Sequence, residues 1–153
     1  MYEILLFFHA WLRWILLGLL FIALYRSFRF RSSTEWSNTD VRIIHWIALI
    51  ATFQLVLGVV LYAFFSAPVS HAFANPGLAM RTTPLRFWFL EHPVLMLITV
   101  ALAHLQRMKV QRQEQVKQKR KTVLLWSGIM IILILAGSPF PWSPVSRPLF
   151  YIP

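Results

Sequence analysis

The chain has 153 residues, of which 58% are hydrophobic, 16% aromatic and 13% charged; an ordinary soluble domain is about 25% charged. A soluble domain of this size cannot hide that much apolar surface, and the lack of cysteine excludes disulfides, thiolate nucleophiles, iron–sulfur clusters and cysteine-bound haem. The net charge of +10 raises nucleic acid as a partner, until its placement along the chain is read.

The first apolar run, Ile4 to Tyr25, is long enough to cross a hydrocarbon core about 30 Å thick. It does not read as an ordinary signal peptide: no basic segment precedes it, Arg13 lies inside it, and no small-residue cleavage site follows. The second run, Val41 to Phe65, begins after Asn38-Thr39-Asp40, residues suited to a helix N-cap. The third, Phe87 to Leu105, is interrupted by Glu91, His92, Pro93 and His104. The fourth, Val123 to Gly137, is short for a span; Trp126 at one end and Phe140 and Trp142 past the other suit it to anchoring at two interfaces. No hydrophobic alternation suggests a barrel. The expected fold is all-α, a single membrane domain built as a four-transmembrane-helix bundle. Its helices are expected at about 4–25, 41–65, 87–108 and 122–137, with a Pro-rich outer tail over 138–153 that cannot continue a helix.

The connections set the orientation. Arg26, Arg29, Arg31 and Arg42 surround the first loop; Arg107, Lys109, Arg112, Lys117, Lys119, Arg120 and Lys121 surround the third. In a four-helix chain these loops share a side, and together they hold eleven of the fifteen basic residues. The other side has Arg81, Arg86 and Arg147, and Arg13 is within the membrane. The positive-inside rule then places both termini and the Ser66–Arg86 loop outside the cytoplasm. The +10 charge is thus read as topology, not nucleic-acid binding, and the Lys109–Lys121 stretch as a helical extension that can touch anionic lipid headgroups.

Ionisable groups at membrane depth are costly and usually face the bundle or a cavity. Here they are His9, Arg13, His45, Glu91, His92 and His104. His9 and His92 lie at matched depth near the outer face, each on a different helix; His45 and His104 form a similar pair near the inner face. Imidazole is an iron ligand, and bundles place ligands on facing helices, so each pair can sandwich a haem. His92 and His104 are twelve residues apart, about 18 Å along a helix, but that spacing also turns them roughly 120° apart. Pro93 can kink the helix and absorb part of the turn. The outer pair is therefore the stronger candidate, because inner histidines can simply meet water or headgroups. Arg13 shares a helix face with His9 and would be satisfied by a haem propionate or by Glu91, and Glu91 can also serve His9 across the bundle. Arg42 and Arg107 stand three residues from His45 and His104. Gln54, in mid-helix 2, can hydrogen-bond across helices, and with Ala51 and Gly58 it forms a small-residue stripe that reads as packing more than chemistry; His71 reads as a solvated loop histidine.

These residues resemble a family. Phe8-His9-Ala10-Trp11-Leu12-Arg13-Trp14 is similar to the His-x-x-Leu-Arg-Trp start of small four-helix bacterial membrane proteins commonly labelled cytochrome B. Gln54-Leu55-Val56-Leu57-Gly58 with Leu61-Tyr62 resembles their second helix. Leu85-Arg86-Phe87 followed by Glu91-His92-Pro93 resembles their third, and Pro141-Trp142 and Arg147-Pro148-Leu149-Phe150 resemble their ending. The resemblance implies a multi-pass protein of the bacterial inner membrane that binds b-type haem. One departure is Thr52, at a position where the family is expected to carry histidine.

Three readings follow. The first is an electron-transfer protein of cytochrome b type holding one or two b haems, with quinol as electron donor and quinone as a further bound group. The second is a non-catalytic membrane subunit, in a larger respiratory or transport complex or a homo-oligomer, whose polar residues form a buried network. The third is a small proton or solute carrier relaying through Glu91 and the histidines.

Overall fold

A computed structural model of the chain describes residues 1–140 together with Ser143 and Val145. Trp142, Arg147 and most of the Pro-rich tail, to which the sequence assigns an anchor, an outer charge and a surface course, lie outside the described residues. Among the described residues every regular element is helical: α1 (Tyr2–Arg29), α2 (Asn38–Phe64), α3 (Ala67–Ala74), α4 (Pro76–Arg81), α5 (Thr83–Arg86), a π-helical turn over Phe87–Glu91, α6 (His92–Arg112) and α7 (Val116–Gly137). Four segments are long and apolar enough to cross a membrane: α1, α2, Thr83–Arg112 and α7.

The helices run past the apolar runs at most ends, because basic and polar residues continue them into the interface. The Lys109–Lys121 stretch is helical on both sides of a three-residue turn at 113–115. Gln113 and Thr122 close that turn, the Gln113 amide donating to the Thr122 hydroxyl at 2.9 Å and the hydroxyl donating back at 3.1 Å. The N-cap of α2 is Ser37, one residue before the expected cluster. Ser37 Oγ accepts the Asp40 backbone N–H, and the Asp40 carboxylate accepts the Ser37 N–H, which makes a capping box. The loop between α2 and α6 folds into the three short helices α3, α4 and α5, each with proline in its first turn, where the missing N–H costs nothing.

Packing follows a ring. α1 packs on α2 and α7, and α6 packs on α2 and α7, so α1 and α6 face each other diagonally across the interior. Leu20, Ile47, Met130 and Ile134 fill the centre, while Ile15, Phe21, Phe53, Val56 and Ile132 are exposed on the outside. That apolar exterior is what a hydrocarbon solvent requires.

At the end of the bundle that carries the 30–37 and 113–115 connections, a charged cluster ties three helices together. Asp40 Oδ1 accepts from Arg26 Nε at 2.8 Å, and its Oδ2 accepts from Arg120 Nη2 at 2.9 Å. Arg120 also donates to the Glu35 carbonyl and stacks on Trp36, 4.6 Å from the ring centre. Asp40 is 4% exposed and Arg120 3%. The sequence counts Arg26 and Arg120 as loop charges; Arg120 is instead buried, because Asp40 offers it a carboxylate inside the bundle. Two turns further along α7, buried Gln106 donates to Ser127 at 3.0 Å and joins α6 to α7.

Candidate functional site

The opposite half of the bundle, outer in the orientation expected from the charge distribution, contains a cavity of about 780 Å³, within the range typical of ligand sites. Its polar lining comes from His9 and Arg13 on α1, Gln54 and Tyr62 on α2, and His92 on α6. Val59, Val94 and Leu97 also line it and are 42–54% exposed. The cavity therefore reaches the lipid-facing surface between α2 and α6.

His92 stands at the foot of an irregular stretch. Pro93 has no N–H, so the Phe89 carbonyl four residues earlier loses its helical partner. Tyr62 supplies a replacement, its hydroxyl donating to Phe89 O at 3.0 Å. The backbone widens to a π-turn over Phe87–Glu91 just before this point, a form of helix defect frequent at functional sites. The irregularity precedes His92, and His92–Arg112 is a regular α-helix. The turn between His92 and His104 is thus not absorbed by Pro93. His92 Nδ1 donates to the Gly137 carbonyl at the end of α7, so Nε2 is the basic nitrogen of that ring. Trp88 lies 5.6 Å from it, centre to centre.

The sequence pairs His9 with His92, and in the structure their ring centres are 6.3 Å apart at an interplanar angle of 66°. Gly58 makes room for His9: a Cβ there would come within 3.2 Å of His9 Cε1. Gln54 makes the cross-helix hydrogen bond that its mid-helix position allows, donating to the His9 backbone carbonyl at 2.9 Å. His9 Nδ1 and Gln54 Oε1 are buried without a hydrogen-bond partner among the described residues.

Arg13 also lines the cavity, and its guanidinium lies 5.2 Å from the Phe140 ring centre and 5.4 Å from that of Trp14. Glu91 is not its partner. Glu91 pairs with Arg86 at 2.6 Å, five residues away along the same distorted helix, which also removes it as an acceptor for His9.

The inner pair is arranged differently. His104 is exposed, and its Nε2 lies 2.9 Å from Thr52 Oγ1. Thr52 donates its own proton to the Ala48 carbonyl, so His104 is the donor in that contact. His45 is exposed beside Trp46, ring centres 6.4 Å apart. His71 is exposed on α3. Sequence reasoning missed the Asp40–Arg120 pair, the Gly137 anchor and the Tyr62 bond. Only the last left a trace, since a proline inside a helical run announces a freed carbonyl.

Among the described residues no three His, Asp or Glu side chains gather as a bare metal ion would require. A haem needs fewer protein ligands, because its macrocycle supplies the rest. Comparisons with protein families, with curated proteins and with solved structures find no match for this chain.

Proposed function

We propose that the chain is a membrane electron-transfer protein of cytochrome b type, holding one haem b between His9 and His92 and exchanging electrons with a quinol in the bilayer. The observation that carries this reading is the His9–His92 pair. Imidazole nitrogens bind first-row metals at about 2 Å, which sets two rings sharing one metal roughly 6 Å apart, and these stand at 6.3 Å. Three further features fit. The cavity around the pair has room for a large ligand. His92 Nδ1 is already engaged by a backbone carbonyl, the arrangement that fixes a ligand histidine's tautomer and raises its basicity. Arg13 carries a positive charge into the same cavity, matched to a propionate.

When bound, the haem supplies a one-electron redox centre. The chain's own residues do the rest. His92 and His9 donate lone pairs from diagonally opposed helices, and the π-turn and Tyr62 set the position of His92. The opening past Val59, Val94 and Leu97 faces hydrocarbon, so a donor that approaches through it is lipid-soluble, as a quinol is. A second haem between His45 and His104 would require His104 to turn from Thr52. By the charge distribution the protein lies in the bacterial inner membrane with the cavity end and both termini outside the cytoplasm.

The test is a reduced-minus-oxidised spectrum of the purified protein. A low-spin b-haem signal is expected, abolished by His9→Ala or His92→Ala and retained in His71→Ala. A colourless protein would sink the proposal and leave the non-catalytic subunit in its place.

A further inference from the structure

The two imidazoles in the cavity are held unequally. His92 donates through Nδ1 to the Gly137 carbonyl, and its ring is flanked by Trp88 at 5.6 Å and Phe87 at 6.0 Å. The acceptor is itself fixed. Gly137 packs so closely on α6 that a Cβ would stand 2.6 Å from Met96 Cε and 3.1 Å from Leu95 Cβ. His9 has no such support. Its Nδ1 is buried and meets no hydrogen-bond partner among the described residues. Gln54 holds its backbone, not its ring, and the ring meets α2 only by van der Waals packing at Gly58, where a Cβ would come within 3.2 Å of Cε1. A ligand histidine without an acceptor on its second nitrogen is less basic and less firmly oriented, a difference worth roughly 10–100-fold in metal affinity.

We infer that His92 is the permanent ligand and His9 the replaceable one, so that the outer site takes up a small neutral diatomic molecule, with carbon monoxide as the probe, in the place His9 vacates. The inference rests on the haem reading above. The exchange is a substitution with no change in oxidation state. The bond from the His9 nitrogen to ferrous iron breaks, a carbon–iron bond forms, and His9 keeps its lone pair. Neither proton nor electron is transferred. The cavity is large enough to let the imidazole move aside, and its apolar opening admits an uncharged gas from the bilayer, where such gases dissolve well.

The experiment is a carbon monoxide titration of the haem-loaded protein, reduced with dithionite, followed by its absorption spectrum. The wild-type low-spin spectrum should convert to that of the carbon monoxide adduct. His9→Ala should keep its haem in a five-coordinate form. If His9 leaves the iron about one-tenth of the time, that variant should bind carbon monoxide about tenfold more tightly than wild type. His92→Ala should lose haem on washing. A wild-type spectrum indifferent to carbon monoxide, or equal haem loss from the two alanine variants, would overturn the inference while leaving the haem reading intact. The wild-type titration and His9→Ala decide the matter even if His92→Ala does not fold. Wild-type protein without haem would instead bring down the reading on which the inference stands.

Discussion

The two ends of the bundle solve the problem of buried polarity in opposite ways. At the inner end, Asp40 receives Arg26 and Arg120, and Ser37, Glu35 and Trp36 complete the cluster. At the outer end, a cavity of about 780 Å³ is lined by α1, α2 and α6, and His9 Nδ1 and Gln54 Oε1 are buried without hydrogen-bond partners among the described residues. Buried charges are tolerated when paired, and Asp40 supplies that pairing, although Arg120 Nε and Nη1 are also buried without a hydrogen-bond partner among the described residues. The contrast is between a paired charge cluster that ties α1, α2 and α7 at one end and a polar-lined cavity at the other.

The comparison breaks most severely if the inner cluster is cut. Asp40→Ala removes one carboxylate from two arginines and the capping-box acceptor of α2 together. Removing one partner of a buried ion pair costs about 3–5 kcal/mol, so SDS-induced unfolding followed by circular dichroism should show a large loss of stability. A midpoint equal to wild type would mean that the cluster contributes no cohesion.

A smaller effect is expected at the outer end. Tyr62→Phe leaves the Phe89 carbonyl without a donor, which costs roughly 1–3 kcal/mol if it stays dry. Because Phe89 lies in the turn that leads into His92, the same variant should weaken haem retention, whereas Asp40→Ala, while still folded, should not. If Tyr62→Phe lowers stability yet leaves haem retention unchanged, the hydroxyl is a structural bond and not a support for His92.

The smallest perturbation asks only which end faces which side. Cysteines introduced at exposed Asn75 and Gln115 should each change stability by no more than about 0.5 kcal/mol. In intact cells an impermeant thiol reagent should label position 75 and not position 115. The reverse pattern would invert the orientation inferred from the basic loops.

The two ends also differed in how far they could be read in advance. The outer pair was legible because two histidines at matched depths are rare in apolar helices, and their partners lie across the bundle at heights that helix rise predicts. The inner cluster was not. Asp40 resembled any acidic residue at a helix start, and Arg120 any member of a basic loop. Arg13 shows the same limit in another form. Its depth marked it as needing company, and Glu91 was the nearest opposite charge by type, but Arg86 lies closer along the helix and takes it.

The sequence by itself determined that the chain forms four apolar helices, because length and hydropathy act on each helix separately and the bilayer enforces internal hydrogen bonding. It also determined which residues are too polar to face lipid. Beyond the His9–His92 pair, the tertiary structure decided their partners, since those depend on the rotation and height of one helix against another. A few ångströms of sliding decide whether a carbonyl such as that of Gly137 meets His92, and no local pattern in the chain encodes that distance.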